Sequence, residues 1–193
     1  LVSALFAAEI DGEKLGDDEI IAFCNLMIVA GNETTTKLIG NCVYWLWRNP
    51  DQYELLAGDQ GLIPGWIEET LRYDNSTQII ARTAACDLEI GGTRIPGGSR
   101  VLLLIGSANR DPAVFANPDR YDVRRQQNEM LSFGHGAHFC LGASLARLEA
   151  RVSLEELWRR FPKLDVREER ATRVHSVNVR GFSSLPVEVG SGL

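Results

Sequence analysis

The ten residues from Phe133 to Gly142 read Phe-Gly-His-Gly-Ala-His-Phe-Cys-Leu-Gly and place one cysteine, Cys140, at the end of a glycine-rich loop. A helical pattern starts directly after it, with Leu141, Leu145, Leu148 and Val152 in register and Arg147, Glu149 and Arg151 on other faces. A thiolate at a helix N-terminus is favoured by the positive end of the helix dipole and by unpaired backbone N–H groups. Gly134, Gly136 and Gly142 carry no Cβ, so the backbone can approach a flat, bulky partner closely. A sulfur held this way is a good axial ligand for haem iron. Two plainer readings compete. One is a buried free cysteine after a turn, the commonest fate of an intracellular thiol. The other is a zinc site from His135, His138 and Cys140, which lacks a fourth ligand to complete a tetrahedral set.

A second chemical feature is Ala30-Gly31-Asn32-Glu33-Thr34-Thr35, inside a long helical pattern. Glycine in a helix interior costs about 1 kcal/mol relative to alanine, and the threonines Thr34 to Thr36 are poor helix formers. An acid beside an alcohol at a weak point of an apolar helix suggests a site. The plain alternative is a tolerated glycine with Thr hydroxyls bonded back to carbonyls four residues earlier. A third feature is Glu69-Thr70-Leu71-Arg72, whose acid and base share one helix face at i, i+3.

Taken together, these segments resemble the cytochrome P-450 family, the haem-thiolate monooxygenases. The loop ending in Cys140 is similar to the family's haem-binding loop, with Phe, Gly, a basic residue, Cys and Gly in order. The resemblance implies haem b, with Cys140 as the iron ligand and Phe133 packed near the sulfur. Gly134 and Gly142 belong to the same cofactor-binding loop. Arg82, at the head of Arg-Thr-Ala-Ala-Cys-Asp-Leu-Glu-Ile-Gly-Gly-Thr, and His138 match contacts to the haem propionates; buried carboxylates need such partners. The segment from Ala30 matches the distal-helix motif. Ala30 and Gly31 would leave room for O2, Thr34 would hold it and a water by hydrogen bonding, and Glu33 would shuttle protons as a general acid. The family often has Asp at the Glu33 position. The Glu69–Arg72 pair would be buried and joined by a third residue before the haem loop, for which Arg120 is the candidate. Its role would be structural.

The resemblance also implies the architecture: a mainly α fold with small β-sheets, built from a long distal helix, the cysteine loop and a proximal helix. The local signals place these elements. Gly16 caps a helix starting at Asp17, with Glu19 at the third position and acidic residues in the first turn. Asn49-Pro50 ends it after Arg48. Shorter helices are expected over Pro50–Ala57 and Pro64–Tyr73, after a helix end at Leu1–Glu9 and a turn at Asp11–Lys14. Strands are expected at Ile79–Thr83, Leu88–Ile90 and Thr93–Ile95, with Gly91-Gly92 as a hairpin turn. Val101–Ile105 reads as a buried strand, and Asp111–Asn128 as irregular. Leu141–Arg160 is the proximal helix. Leu164–Val166 and Leu185–Val189 form a small terminal sheet. Residues near Ile28, Val29, Asn75–Ile80 and Gly181-Phe182 are the expected pocket floor.

The chain has 193 residues, 45% of them hydrophobic, enough for a single domain with a substantial core. Its four cysteines lie far apart with no Cys-x-x-Cys, which points to a reducing, cytoplasmic setting. Cys24 and Cys42 read as packing residues, and Cys86 sits near a turn. No apolar run is long enough to span a membrane, and a net charge of −6 disfavours nucleic acid. Residues 121–193 nevertheless carry 11 Lys and Arg against 9 Asp and Glu, a suitable face for an acidic electron donor such as a ferredoxin. The resemblance matches only the C-terminal half of the family's usual chain, and the sequence opens in mid-pattern at Leu1 rather than on Met. The expected activity is insertion of one oxygen atom of O2 into a small organic substrate with two electrons from a redox partner. The alternative is a haem-binding or structural fragment with no monooxygenase activity unless complemented by the missing N-terminal half.

Overall fold

A computed structural model describes residues 1–126 and 129–190. Gln127 and Asn128, at the end of the expected irregular stretch, and residues 191–193 lie outside the described residues.

The chain begins with a short helix α1 (Val2–Ala7) and a two-residue hairpin, β1 (Glu9–Ile10) with β2 (Glu13–Lys14), around the expected turn. Helix α2 (Asp17–Arg48) follows over 32 residues, about 48 Å at 1.5 Å per residue. Its start is set as the sequence suggests: the Gly16 N–H donates to Glu19 Oε2 at 2.9 Å. Its end is capped by Asn49, whose Nδ2 donates to the Trp45 carbonyl at 2.7 Å. Helix α3 (Pro50–Gly58) begins on the proline, whose missing N–H is no loss there. Helix α4 (Ile63–Tyr73) follows.

Strands β3 (Ile79–Thr83), β4 (Leu88–Ile90), β5 (Thr93–Ile95) and β6 (Arg100–Leu104) come next. β3 pairs antiparallel with β6, Ile79 opposite Leu104 and Thr83 opposite Arg100. β4 and β5 form the hairpin through Gly91 and Gly92, both at positive φ. The burial expected of Val101–Ile105 is corrected: Leu102 is 60% exposed and Leu104 52% exposed, and only Ile105, the first residue of the one-turn helix α5 (Ile105–Ala108), is buried. An apolar run signals that a strand can be covered; it does not supply the covering element.

The chain then meanders to helix α6 (Ala143–Arg160), two residues later than the expected start. Strands β7 (Leu164–Val166), β8 (Thr172–Arg173), β9 (Phe182–Ser184) and β10 (Val187–Val189) complete the chain. β7 pairs with β10 as expected, and the β8–β9 pair is additional.

The core lies among the second half of α2, α4 and α6. Leu38, Cys42 and Leu46 of α2 meet Ile63, Trp66 and Ile67 of α4 and Ala150, Leu154 and Trp158 of α6. The Trp66 indole donates to the Cys42 carbonyl at 3.0 Å, so its polar edge is satisfied inside the core. The first half of α2 differs: Ile21, Leu26, Ile28 and Val29 are exposed. Leu141, Leu145, Leu148 and Val152 are likewise exposed, because α6 turns Ala143, Ala150, Leu154 and Trp158 toward the core.

Candidate haem-thiolate site

The loop carrying Cys140 is shaped by its own backbone. Gly134 and Gly136 have φ of +74° and +69°, values that an L side chain rarely adopts. With these turns in place, the Gly134 N–H reaches the Leu131 carbonyl at 2.8 Å and the Cys140 N–H reaches the Phe133 carbonyl at 2.8 Å. The Ala143 N–H then donates to the Cys140 carbonyl at 3.2 Å, which leads directly into α6. Cys140 is exposed.

The loop is anchored to α4 through a chain of buried polar groups. Ser132 Oγ donates to the Leu71 carbonyl at 2.6 Å and accepts from Asn109 Nδ2 at 2.8 Å. Asn109 Oδ1 accepts the Leu131 N–H at 2.8 Å. The Asn109 carbonyl accepts from Arg72 Nη1 at 2.9 Å. Arg72 and Glu69 are fully buried and joined in a fork, Nε to Oε2 at 2.9 Å and Nη2 to Oε1 at 2.8 Å. The remaining Arg72 donors reach the carbonyls of Pro118 and Arg120, so the whole guanidinium is satisfied.

The third member of this cluster is a correction. Arg120 is exposed and contributes its backbone carbonyl. The side chain that reaches Glu69 is Arg125, with Nε 3.2 Å from Oε2. The backbone between them folds inward: the Asp122 N–H donates to Glu69 Oε1 at 2.9 Å, and the Arg120 N–H closes a turn onto the Asn117 carbonyl at 3.0 Å. Asn117 itself has φ of +49°. Residue spacing within an irregular stretch carries no such information. Asn109, Ser132, Arg125 and Arg147 are site-supporting residues that the sequence reading did not single out. Their hydrogen bonds to the loop and to α4 span 22 to 79 positions, so no local pattern could have found them.

A cavity of about 480 Å³ opens above Cys140. Ala30 and Thr34 of α2, Arg82 of β3, and Phe133, Gly134, His138 and Cys140 of the loop all line it. Gly31, Glu33 and Gly142 are outside its lining; Glu33 is exposed on the helix surface. At Gly31 a Cβ would meet no heavy atom within 4 Å, and at Gly142 it would sit 4.0 Å from the Cys140 sulfur, an ordinary contact. Asn75, Ser76, Thr77 and Ile80 form part of the wall as expected. Ile28 and Val29 do not: they face solvent. Phe182 packs against Tyr44 in the core with ring centroids 4.9 Å apart, and Gly181 borders a separate cavity.

Thr34 Oγ1 donates to the Ala30 carbonyl at 2.7 Å. With that proton committed, its lone pair is the part of the hydroxyl open to a donor in the cavity. Arg82 is exposed, with one Nη1 bond to the Ala81 carbonyl at 2.9 Å. The residues lining the cavity fit a haem in their chemistry: an exposed thiol, cationic and imidazole side chains, and apolar wall residues. Among the described residues no group of three or more His, Cys, Asp or Glu is arranged to hold a metal ion, so His135, His138 and Cys140 do not converge as a zinc set. No helix among them is long and apolar enough to cross a membrane.

Comparison with known proteins agrees with this geometry. The family model for Cytochrome P450 matches residues 62–185. A putative cytochrome P450 123 of Mycobacterium bovis is 56% identical over 190 residues, covering 98% of this chain and 47% of that protein. Cytochrome P450 CYP109Q5 from Chondromyces apiculatus superposes with a TM-score of 0.93 at 44% identity, over 98% of this chain and 49% of that one. CYP109E1 from Bacillus megaterium in complex with testosterone superposes with a TM-score of 0.92 at 38% identity, over 97% and 52%. The chain spans about half the length of the curated relatives it matches. A match of this extent in sequence, repeated in three dimensions, means that the chain belongs to the cytochrome P450 family.

Proposed function

We propose that this chain is the haem-thiolate portion of a monooxygenase acting on a small organic molecule. The observation that carries the reading is the shared cavity: Cys140 and Thr34, from elements more than 100 positions apart, line one space. Cys140 would hold the iron of haem b, and Arg82 and His138 would meet its carboxylates. When bound, the haem supplies activation of O2 and transfer of one oxygen atom to substrate. Two electrons would come from a ferredoxin or similar donor.

The protein's own part is binding, orientation and proton delivery. Phe133, whose carbonyl accepts the Cys140 N–H, would pack near the sulfur and tune its donor strength. Thr34 accepts a hydrogen bond from a water on the helix side of the cavity. Glu33 stands on the exposed side of the same helix turn, where it can take protons from solvent and pass them inward as a general acid. The wall pairs apolar Ile80, Leu103 and Ile105 with polar Asn75 and Thr77. It suits an apolar molecule with one or two hydrogen-bonding groups, and the steroid named with CYP109E1 is of that type.

A second reading is favoured by the uncovered apolar faces of α2 and α6: the chain binds haem, or serves structurally, and gains monooxygenase activity only when complemented by an N-terminal half. The carbon monoxide difference spectrum of the reduced, haem-reconstituted protein tests both. A long-wavelength Soret band of thiolate-ligated haem, lost in Cys140→Ser, supports the site. An imidazole-type band that survives Cys140→Ser would sink it. Substrate turnover that appears only after adding the other half would favour the second reading.

A further inference from the structure

The turn of α2 that carries Thr34 combines several features that weaken a helix. Gly31 lies within it. Three alternate side chains also bond back to carbonyls four residues earlier: Asn32 to Ile28 at 3.3 Å, Thr34 to Ala30 at 2.7 Å and Thr36 to Asn32 at 2.6 Å. Such back-bonding competes with the helix's own ladder and tends to bend it. The apolar residues just before it, Ile28 and Val29, face solvent and give it no packing support. Thr34, which lines the cavity, thus sits on a turn that its own sequence and packing support weakly.

An anchor comes from another element. Ser76, 6% exposed, donates from Oγ to the Thr34 carbonyl at 2.7 Å. That carbonyl is also the helical acceptor for the residue four positions on. Ser76 is itself held firmly. Its carbonyl accepts the Arg180 N–H at 2.8 Å, Thr77 bridges to Val179, and the Gln78 N–H reaches the Asn178 carbonyl at 2.8 Å. Two further ties continue along the same helix face. Lys37 Nζ donates to the Phe182 carbonyl at 2.9 Å, and Asn41 Nδ2 donates to the Asp74 carbonyl at 2.9 Å. Positions 34, 37 and 41 share one stripe of an α-helix. The ties at 37 and 41 hold the well-packed half, and Ser76 extends the clamp to the soft turn.

We propose that Ser76 is a positioning residue that fixes Thr34 relative to the cavity wall, acting through the Thr34 backbone carbonyl. The proposal rests on the reading of Thr34 given above for its functional consequence, and on the hydrogen bond alone for its structural one. Hydrogen–deuterium exchange along α2, measured with and without haem, tests it. Ser76→Ala should speed exchange at amides 34–38 about fivefold, equivalent to about 1 kcal/mol for one hydrogen bond, and leave residues 42–48 unchanged. Ser76→Thr, which keeps the hydroxyl, should restore the slow rate. During turnover, Ser76→Ala should release more peroxide per electron and Ser76→Thr should not. Unchanged exchange at 34–38, uniform acceleration along α2, or no rescue by threonine would overturn the proposal. If Ser76→Ala does not fold, Ser76→Cys, a far weaker donor, takes its place under the same criteria. The carbon monoxide spectrum of the unsubstituted protein judges the haem-thiolate reading separately: absence of its thiolate band would sink that reading and leave the exchange result standing.

Discussion

The guanidinium of Arg147 lies over the ring of Phe133, 4.5 Å from its centroid, while Nε and Nη2 grip the two oxygens of Glu68 at 2.6 and 3.0 Å. α6 thus reaches back over the loop it follows and pins Phe133, at the start of the Cys140 loop, against α4. The hydrogen bonds to Glu68 hold the Arg147 guanidinium more firmly protonated than usual, against a smaller opposing effect of burial.

Arg147→Ala is therefore expected to loosen Phe133 and weaken haem retention. The stability loss should be about 1 kcal/mol, since the pair is partly exposed and screened and the ring contact adds a comparable small amount. Arg147→Lys should fall between, because an ammonium cannot form the two-pronged bond. Urea midpoints and haem dissociation rates check this; an unchanged dissociation rate would mean that Phe133 is held by other contacts.

Glu69 and Arg72 are both fully buried, so removing either breaks a two-pronged ion pair inside the protein. Glu69→Ala or Arg72→Ala should cost about 3–5 kcal/mol, enough to leave little folded protein. The arginines outside α4 should separate cleanly. Arg125→Ala removes a bond to Glu69 together with bonds to the carbonyls of Ala116, Asn117 and Arg120, and should destabilise markedly. Arg120→Ala, on an exposed side chain, should stay within about 0.5 kcal/mol of the parent. Equal effects by chemical denaturation would contradict the assignment of Arg125.

Thr34→Ala removes the hydroxyl but not the helix. Haem uptake and the thiolate spectrum should persist, while the fraction of electrons recovered as product falls and peroxide rises. Measuring peroxide and product against reductant consumed decides the matter. Full coupling in the variant would remove Thr34 from proton delivery.

The four cysteines should differ in reactivity. Cys86 and Cys140 are exposed and should alkylate first in the haem-free protein, Cys24 more slowly, and Cys42 only on unfolding. Burial pushes the Cys42 thiol up to about 12, partly offset by a hydrogen bond with Thr70. Burial likewise raises the hydroxyl of Tyr121, which shares the Thr70 hydroxyl at 2.6 Å. A group that holds its proton more tightly when folded stabilises the fold fully below its unfolded value and loses that contribution as pH rises through the folded one. For Cys42 the window runs from about 9 to about 12. Alkaline unfolding should begin in that window, and Cys42→Ala should reduce its steepness.

The features that could be read in the sequence are those written in consecutive residues. The loop through Cys140 carries its own turns in Gly134 and Gly136, so its shape is local. α2 announces both ends, in Glu19 folding back on Gly16 and in Asn49-Pro50. The i, i+3 spacing of Glu69 and Arg72 already puts them on one face. Tertiary structure decided the rest, wherever the answer depended on what stands opposite a residue. Arg125 rather than Arg120 reaches Glu69 because an irregular stretch has no period from which direction could be read. Leu102 and Leu104 are apolar whether or not an element covers them. Phe182 entered the core, away from the expected pocket, because Tyr44 lies across from it. The bond from Ser76 to Thr34 joins residues 42 positions apart. A hydroxyl in a sequence shows only that it can donate, and the fold decides which carbonyl comes within its reach.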